Sequence, residues 1–197
     1  MTAVSRETSE RIAAYEDLIL KWNGSINLVG RFSLDDIRER HITDSQQLAD
    51  LADLGADSWT DLGSGGGLPG LVAAIQAADL PITFHLVESD QRKATFLRTC
   101  ARTLDLPHVK VHSARIESLI PLNSDIVSAR ALAPLPLLMS YVHRHLKPDG
   151  TAWLMKGENW QQEVRQAQQT WQFHYHPHPS RTNEDSAILE ITGLTHV

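Results

Sequence analysis

Asp61-Leu62-Gly63-Ser64-Gly65-Gly66-Gly67-Leu68-Pro69-Gly70 is the stretch on which the reading of this chain turns. It continues a short β-like run, Ser58-Trp59-Thr60-Asp61-Leu62, and leads into Leu71-Val72-Ala73-Ala74-Ile75, which reads as a helix. Glycines at 63, 65 and 67 remove the Cβ atoms that would obstruct a tight turn and a close ligand. Pro69 suits the first turn of a helix, where a missing N–H costs nothing. The unpaired N–H groups at that helix start, with their partial positive charge, offer a place for a polar or anionic ligand. Strand, glycine loop and helix together predict a nucleotide-type site.

Gly65-Gly66-Gly67-Leu68-Pro69-Gly70 also satisfies the dinucleotide fingerprint G-x-G-x-x-G, a weak signal alone. The longer pattern Asp61-x-Gly63-x-Gly65-x-Gly67 sets an acid ahead of the loop and resembles the first motif of S-adenosylmethionine (AdoMet) methyltransferases. A carboxylate there favours the cationic end of AdoMet and repels a pyrophosphate.

Outward from the loop the chain divides in two. Ile12, Tyr15, Ile19 and Trp22 recur at helical spacing and predict a helix over 5–22, which Asn23-Gly24 then breaks. A second helix is predicted from Ser33, an N-cap with Asp35 and Asp36 in the first turn, carrying Leu34, Ile37, His41, Ser45, Leu48 and Leu51. That spacing puts His41, Asp44 and Ser45 on one side of it. From Trp59 the chain alternates: strands at 82–88, 109–112, 125–129 and 151–156, helices around Phe96–Leu104, Pro134–Leu146 and Glu158–Thr170, and a turn at Lys147-Pro148-Asp149-Gly150. Two further strands near 171–176 and 186–192 have no helix between them. Repeated β–α units predict an α/β fold: an open, mostly parallel, Rossmann-like sheet with an antiparallel edge. The expected organisation is one domain over 1–197, with a helical cap at 1–55 and an α/β core at 56–197.

At 197 residues, 42% hydrophobic and 21% charged, the chain has the composition of a globular domain with a substantial core. No apolar run approaches the ~20 residues that span a bilayer. The first residues carry no apolar signal core, and the lone Cys100 excludes an internal disulfide or a multi-cysteine zinc site, so a cytoplasmic protein is expected. The net charge of −6 argues against broad nucleic-acid affinity. Between 91 and 110, however, Arg92, Lys93, Arg98, Arg102 and Lys110 face only Asp105, which reads equally as an RNA footprint or a solvated helix face.

In such a sheet the ligand lies beyond the carboxyl ends of the strands. Those ends carry Asp61, Glu88, Ser113 to Glu117, and Ala129-Arg130. Glu88 follows the loop at about the ~20-residue distance expected of an acid on a ribose hydroxyl. Ile116-Glu117 supply an apolar side chain and an acceptor for an adenine. His174, His176 and His178 alternate as metal ligands do on a strand, but Pro177 and Pro179 interrupt it and no acid or cysteine completes the set, so a solvated edge is the expectation.

Across nearly the whole chain, the pieces Trp22-Asn23, Asn27-Leu28-Val29, His41-x-x-Asp44-Ser45, Asp61 to Gly70, Glu88, Lys93-x-x-Phe96-Leu97, Arg115-Ile116-Glu117, Ser128-Ala129-Arg130-Ala131 and Lys156-Gly157 occur in order. In these the chain resembles the bacterial small-subunit ribosomal RNA guanine-N7 methyltransferases, the family also called glucose-inhibited division protein B. It departs from that family where Ser64-Gly65-Gly66-Gly67 replaces a frequent Thr-Gly-Pro-Gly and where Ala129 replaces a frequent serine. The resemblance implies methyl transfer from AdoMet to N7 of a guanine in 16S ribosomal RNA or the small ribosomal subunit, with no metal and no membrane. It implies AdoMet contacts at Gly63, Leu68, Ile116, Glu117 and Arg130, to which the loop and strand-end arguments add Gly65 and Glu88. Arg130 also reads as an ion-pair partner of Asp61 or Glu117, and Lys156 as a group at the crevice edge. His41, Asp44 and Ser45 are expected to fix the cap to the core and shape the substrate entrance. A nicotinamide-dependent oxidoreductase and a non-catalytic RNA- or ribosome-binding module with a nucleotide pocket are the two alternatives.

Overall fold

The computed structural model describes residues 5–30 and 37–197. The expected start of the second helix, Ser33 to Asp36, lies outside them. Seven strands form one sheet in the order β3-β2-β1-β4-β5-β7-β6. They are β1 (Ser58–Leu62), β2 (Thr83–Glu88), β3 (Val109–Ser113), β4 (Ser124–Arg130), β5 (Leu146–Lys156), β6 (Trp171–Pro179) and β7 (Ala187–His196). β1 to β5 run parallel; β7 pairs antiparallel with both β5 and β6. The order reverses between β1 and β4, the switch point where crevices open in such sheets.

The sheet is covered on both sides. One face packs α1 (Arg6–Ile26), α2 (Asp44–Leu51), α3 (Gly70–Gln76) and α4 (Gln91–Thr103), burying Trp59, Phe84 and Leu86. The other packs α5 (Leu135–His145) and α6 (Trp160–Ala167) over Leu62, Val87, Val127 and Leu154. The parallel strands are apolar on both sides because each side meets a helix layer.

Three local expectations are corrected. Helix α1 does not stop at Asn23-Gly24 but runs to Ile26. Asn23 is buried, and its Oδ1 accepts from the Leu28 and Val29 N–H groups at 2.7 and 2.9 Å, so it holds the helix exit instead of breaking the helix. The reversal comes at Asn27, at φ 45°. Residues 147–150 are not a free turn. They belong to β5, where the register passes from Ser124↔Leu146 to Ile126↔Thr151, so the extra residues form an irregularity within the strand. Pro177 and Pro179 do not interrupt β6, because it is the edge strand, where a missing N–H breaks no ladder bond. A π-helical turn over Arg38–Thr43 leads directly into α2.

Candidate active site

The seven residues singled out from the sequence, Gly63, Gly65, Leu68, Glu88, Ile116, Glu117 and Arg130, all line one cavity of about 440 Å3 beyond the ends of β1, β2 and β4. The glycine loop forms its floor. Gly63 sits at φ 67°, a backbone conformation that favours glycine, and a Cβ there would also displace the Leu132 side chain, whose Cδ1 would lie 2.6 Å away. Tyr15, wholly buried in α1, donates its phenolic hydrogen to the Gly66 carbonyl and braces the loop from behind. The sequence marked Tyr15 only as core.

Glu88 is committed to the loop. Its Oε2 accepts from the Gly65 N–H at 2.8 Å and its Oε1 from the Asp90 N–H at 2.7 Å. A pyrophosphate seeking the Gly65 N–H would meet a carboxylate already bonded to it. The start of α3 is likewise taken. Asp61 is fully buried beneath the loop, with Oδ2 against Gly70, and does not line the cavity. This corrects the expectation that Asp61 touches the cationic end of a ligand. Burial raises its pKa from 3.8 to about 6; the Ser128 and Ser64 hydroxyls, the nearby Gly70 N–H and Arg130 oppose that rise. The Trp59 indole donates to Ser128 Oγ at 2.8 Å, and Ser128 donates to Asp61 Oδ1 at 2.7 Å. Asp61 Oδ1 is thus satisfied, while Oδ2 is buried without a hydrogen-bond partner among the described residues, and a floor holding this acid suits a cationic or neutral ligand better than a polyanion.

The side of the cavity that carries Ile116 and Glu117 is built from β3 and its sequel. Ile116, in a 3-10 turn over Ile116–Ser118, is buried and fixed through its carbonyl, which accepts from His145 Nε2 at 3.0 Å. The Leu122 N–H donates to His145 Nδ1 at 3.3 Å, which assigns the proton to Nε2. Burial lowers the pKa of this ring and keeps it neutral. Glu117 is half exposed; its own backbone N–H and Arg115, 3.2 Å away, hold its carboxyl below the usual range. Leu28, Leu132, Leu137 and Tyr141 add large apolar and aromatic side chains to the lining, a role that sequence reasoning assigned to none of them. Leu137 stands about half exposed on α5, a property that the sequence does not carry.

Arg130 does not pair with Asp61 or Glu117. Its Nη1 lies 3.2 Å from Asp44 Oδ2, and its Nη2 donates to His41 Nδ1 at 2.6 Å. Because guanidinium is only a donor, His41 Nδ1 is the acceptor and carries no proton. Asp44 Oδ1 accepts from Gln47 Nε2 at 2.5 Å and Thr182 Oγ1 at 2.9 Å, tying α2 to the β6–β7 loop. Ser45 donates back to the His41 carbonyl at 2.7 Å, so the three residues form no nucleophile–base chain. Arg130 and Ala131 also belong to a second cavity of about 710 Å3, walled by the ends of β4 and β5, the start of α6 and the β6–β7 loop. Lys156 lines it, with Nζ 2.6 Å from Glu163 Oε2 and donating to the Ala133 carbonyl at 3.0 Å. Ala131 stands at φ 49° on the wall between the two cavities, a costly conformation for alanine that the surrounding structure imposes.

The histidines of the edge strand acquire the acid that the sequence did not supply: His178 Nε2 lies 2.9 Å from Glu190 Oε2. No cluster of three or more ligating side chains placed to hold a metal is present among the described residues, and no helix among them is long and apolar enough to cross a membrane.

This strand order, with a glycine loop after β1 and an acid ending β2, is the architecture of the AdoMet-dependent methyltransferases. A solved AdoMet-dependent methyltransferase from Aquifex aeolicus superposes with a TM-score of 0.61 at 11% identity, covering 79% of this chain and 92% of that one. Residues 8–187 match the family described as rRNA small subunit methyltransferase G, and the chain belongs to that family. It is 58% identical to the ribosomal RNA small subunit methyltransferase G of Paracoccus denitrificans, over 98% of this chain and 99% of that protein. Its identity to the protein of the same name from Ruegeria pomeroyi is 50%, over 98% and 95%.

Proposed function

We propose that this protein transfers the methyl group of AdoMet to N7 of a guanine in 16S ribosomal RNA. The observation that carries this is the family match over nearly the full length, joined to a cavity in which all seven expected residues meet. The reading takes the whole chain as one cytoplasmic methyltransferase domain, residues 1–55 the cap and 56–197 the core, acting on the RNA or the small subunit. Bound AdoMet supplies an electrophilic methyl carbon on a sulfonium. Gly63, Gly65 and Leu68 would seat it against the loop, Glu88 would face its ribose, and Ile116 and Glu117 would take its adenine. Arg130 holds the wall next to the reacting end.

Guanine N7 offers an in-plane lone pair and no proton, so the transfer needs no general base. Attack by N7 on that carbon would leave the carbon–sulfur electron pair on sulfur and the positive charge on the purine. The protein's task is alignment of nucleophile and carbon at near-attack distance. The locked His41–Arg130–Asp44 set fits a positioning role, since His41 Nδ1 is already committed to Arg130.

Single-turnover methylation of small subunits lacking the modification, followed across pH at saturating AdoMet, is expected to show no limb that disappears with a substituted side chain. Replacing the target guanine with 7-deazaguanine is expected to abolish the reaction. Continued methylation of that nucleotide would exclude N7.

A further inference from the structure

Of the seven residues expected to hold the cofactor, only Arg130 lines the larger cavity, which shares Ala131 as well with the smaller one. Its volume of about 710 Å3 falls within the ~300–1,000 Å3 of small-molecule sites. Enzymes that modify a base commonly extrude it into such a pocket and read its Watson–Crick edge.

The pair Lys156–Glu163 has the hydrogen-bonding form that guanine requires. Glu163 Oε2 accepts from Lys156 Nζ at 2.6 Å and from the Leu135 N–H at 2.6 Å, while Oε1 has no hydrogen-bond partner among the described residues. Lys156 Nζ gives one proton to Glu163 and one to the Ala133 carbonyl, which leaves a third. A donor therefore stands beside an acceptor on the cavity wall, with their charges neutralising each other. Guanine presents O6, an acceptor, beside N1–H, a donor. Adenine presents the reverse and would set donor against donor and acceptor against acceptor.

Lys156 follows Met155, the register partner of Arg130, so the two side chains leave opposite faces of the sheet at its rim, and both line this cavity. N7 adjoins O6 on the side away from N1, so O6 at Lys156 and N1–H at Glu163 leave N7 free to meet the wall shared with the cofactor cavity. Gly157, next on the cavity edge, has open space where a side chain would stand.

We propose that the target guanine is extruded into this cavity and recognised by Lys156 at O6 and by Glu163 at N1–H, with N7 directed to the Arg130–Ala131 wall. The proposal rests on guanine-N7 transfer being the reaction.

The test uses small subunits lacking the modification, prepared with either guanine or adenine at the mapped target. The full-length protein is expected to favour guanine by at least about 100-fold in kcat/KM. Glu163→Gln keeps an oxygen for the Leu135 N–H but turns the free acceptor into a donor. It is expected to lose about 10- to 100-fold on guanine and to narrow the guanine/adenine ratio. Equal slowing on both bases would overturn base reading and leave the pair structural. Gly157→Phe fills the cavity from a position where no protein atom obstructs it. It is expected to bind AdoMet with unchanged affinity by calorimetry and to lose methylation; methylation at the unsubstituted rate would overturn the location. Failure of the unsubstituted protein to methylate N7 at all would instead refute the functional reading, and this inference with it.

Discussion

Arg130 Nη1 stands 3.2 Å from Asp44 Oδ2, joining the end of β4 to helix α2 with both side chains 17% exposed. Through Asp44 the same bridge reaches Thr182 in the β6–β7 loop, and through Arg130 it reaches His41. Three segments far apart in sequence thereby form one rigid wall of the larger cavity. An ion pair this sheltered is costly to break from one side, because the remaining charge loses its partner while still partly buried.

Asp44→Asn is expected to lower methyl transfer at least about tenfold while leaving AdoMet affinity within about threefold. His41→Ala is expected to behave alike. A double-mutant cycle of Asp44→Ala and Arg130→Ala on unfolding free energy should give a coupling of about 1–3 kcal/mol. Loss of AdoMet binding in Asp44→Asn would place the bridge on the cofactor side instead.

Glu88→Gln removes the charge that occupies the Gly65 and Asp90 N–H groups. Charge-assisted hydrogen bonds contribute about 1.5–3 kcal/mol, so AdoMet affinity should fall about tenfold or more. Calorimetry should detect no binding of NAD to either the variant or the parent. Tight NAD binding by the variant would mean that the loop is an anion receptor blocked only by Glu88.

Tyr15→Phe strips the Gly66 carbonyl of its donor in a fully buried position. The expected cost is about 1–3 kcal/mol in urea unfolding, with weakened AdoMet binding because the loop loses its brace. A variant as stable as the parent would show that the carbonyl finds another partner.

Asp61 links stability to pH with a sign set by burial. Its folded pKa is about 6 against 3.8 for the free side chain, so between these values the folded state holds the proton that the unfolded state has released. Stability from this group is present at low pH and is lost as pH rises toward and through about 6, by about 3 kcal/mol in all. Asp61→Asn cannot ionise. Its stability relative to the parent should therefore be greater at pH 7.5 than at pH 4.5, measured by urea unfolding at each. A pH-independent difference would show that the carboxyl titrates as if exposed.

Much of this protein is written locally. The switch from helical spacing in 5–22 to β–α alternation after Trp59 specifies the fold class, since each period dictates which side chains share a face. The run from Asp61 to Gly70 specifies the loop, because three of its glycines, at 63, 65 and 67, adopt positive φ that other residues resist. Glu88, Ile116, Glu117 and Arg130 were legible as strand-end groups, because a parallel sheet gathers those ends on one side. What lay beyond the sequence was the choice of partner. Asp61 and Glu88 are both acids at strand ends. They lie on the same face of the sheet, but Asp61 pairs with Leu86, two residues short of Glu88, so α3 covers Asp61 while Glu88 reaches the loop. Arg130 had two plausible acids nearby in the motifs and bonded to a third, Asp44, because α2 folds across the end of β4. Asn23-Gly24 has the form of a helix breaker and acts as a clasp because Leu28 and Val29 return to it. Sequence spacing determines which groups share an element and a face; only packing decides which element crosses another, and so which charge each buried group finds.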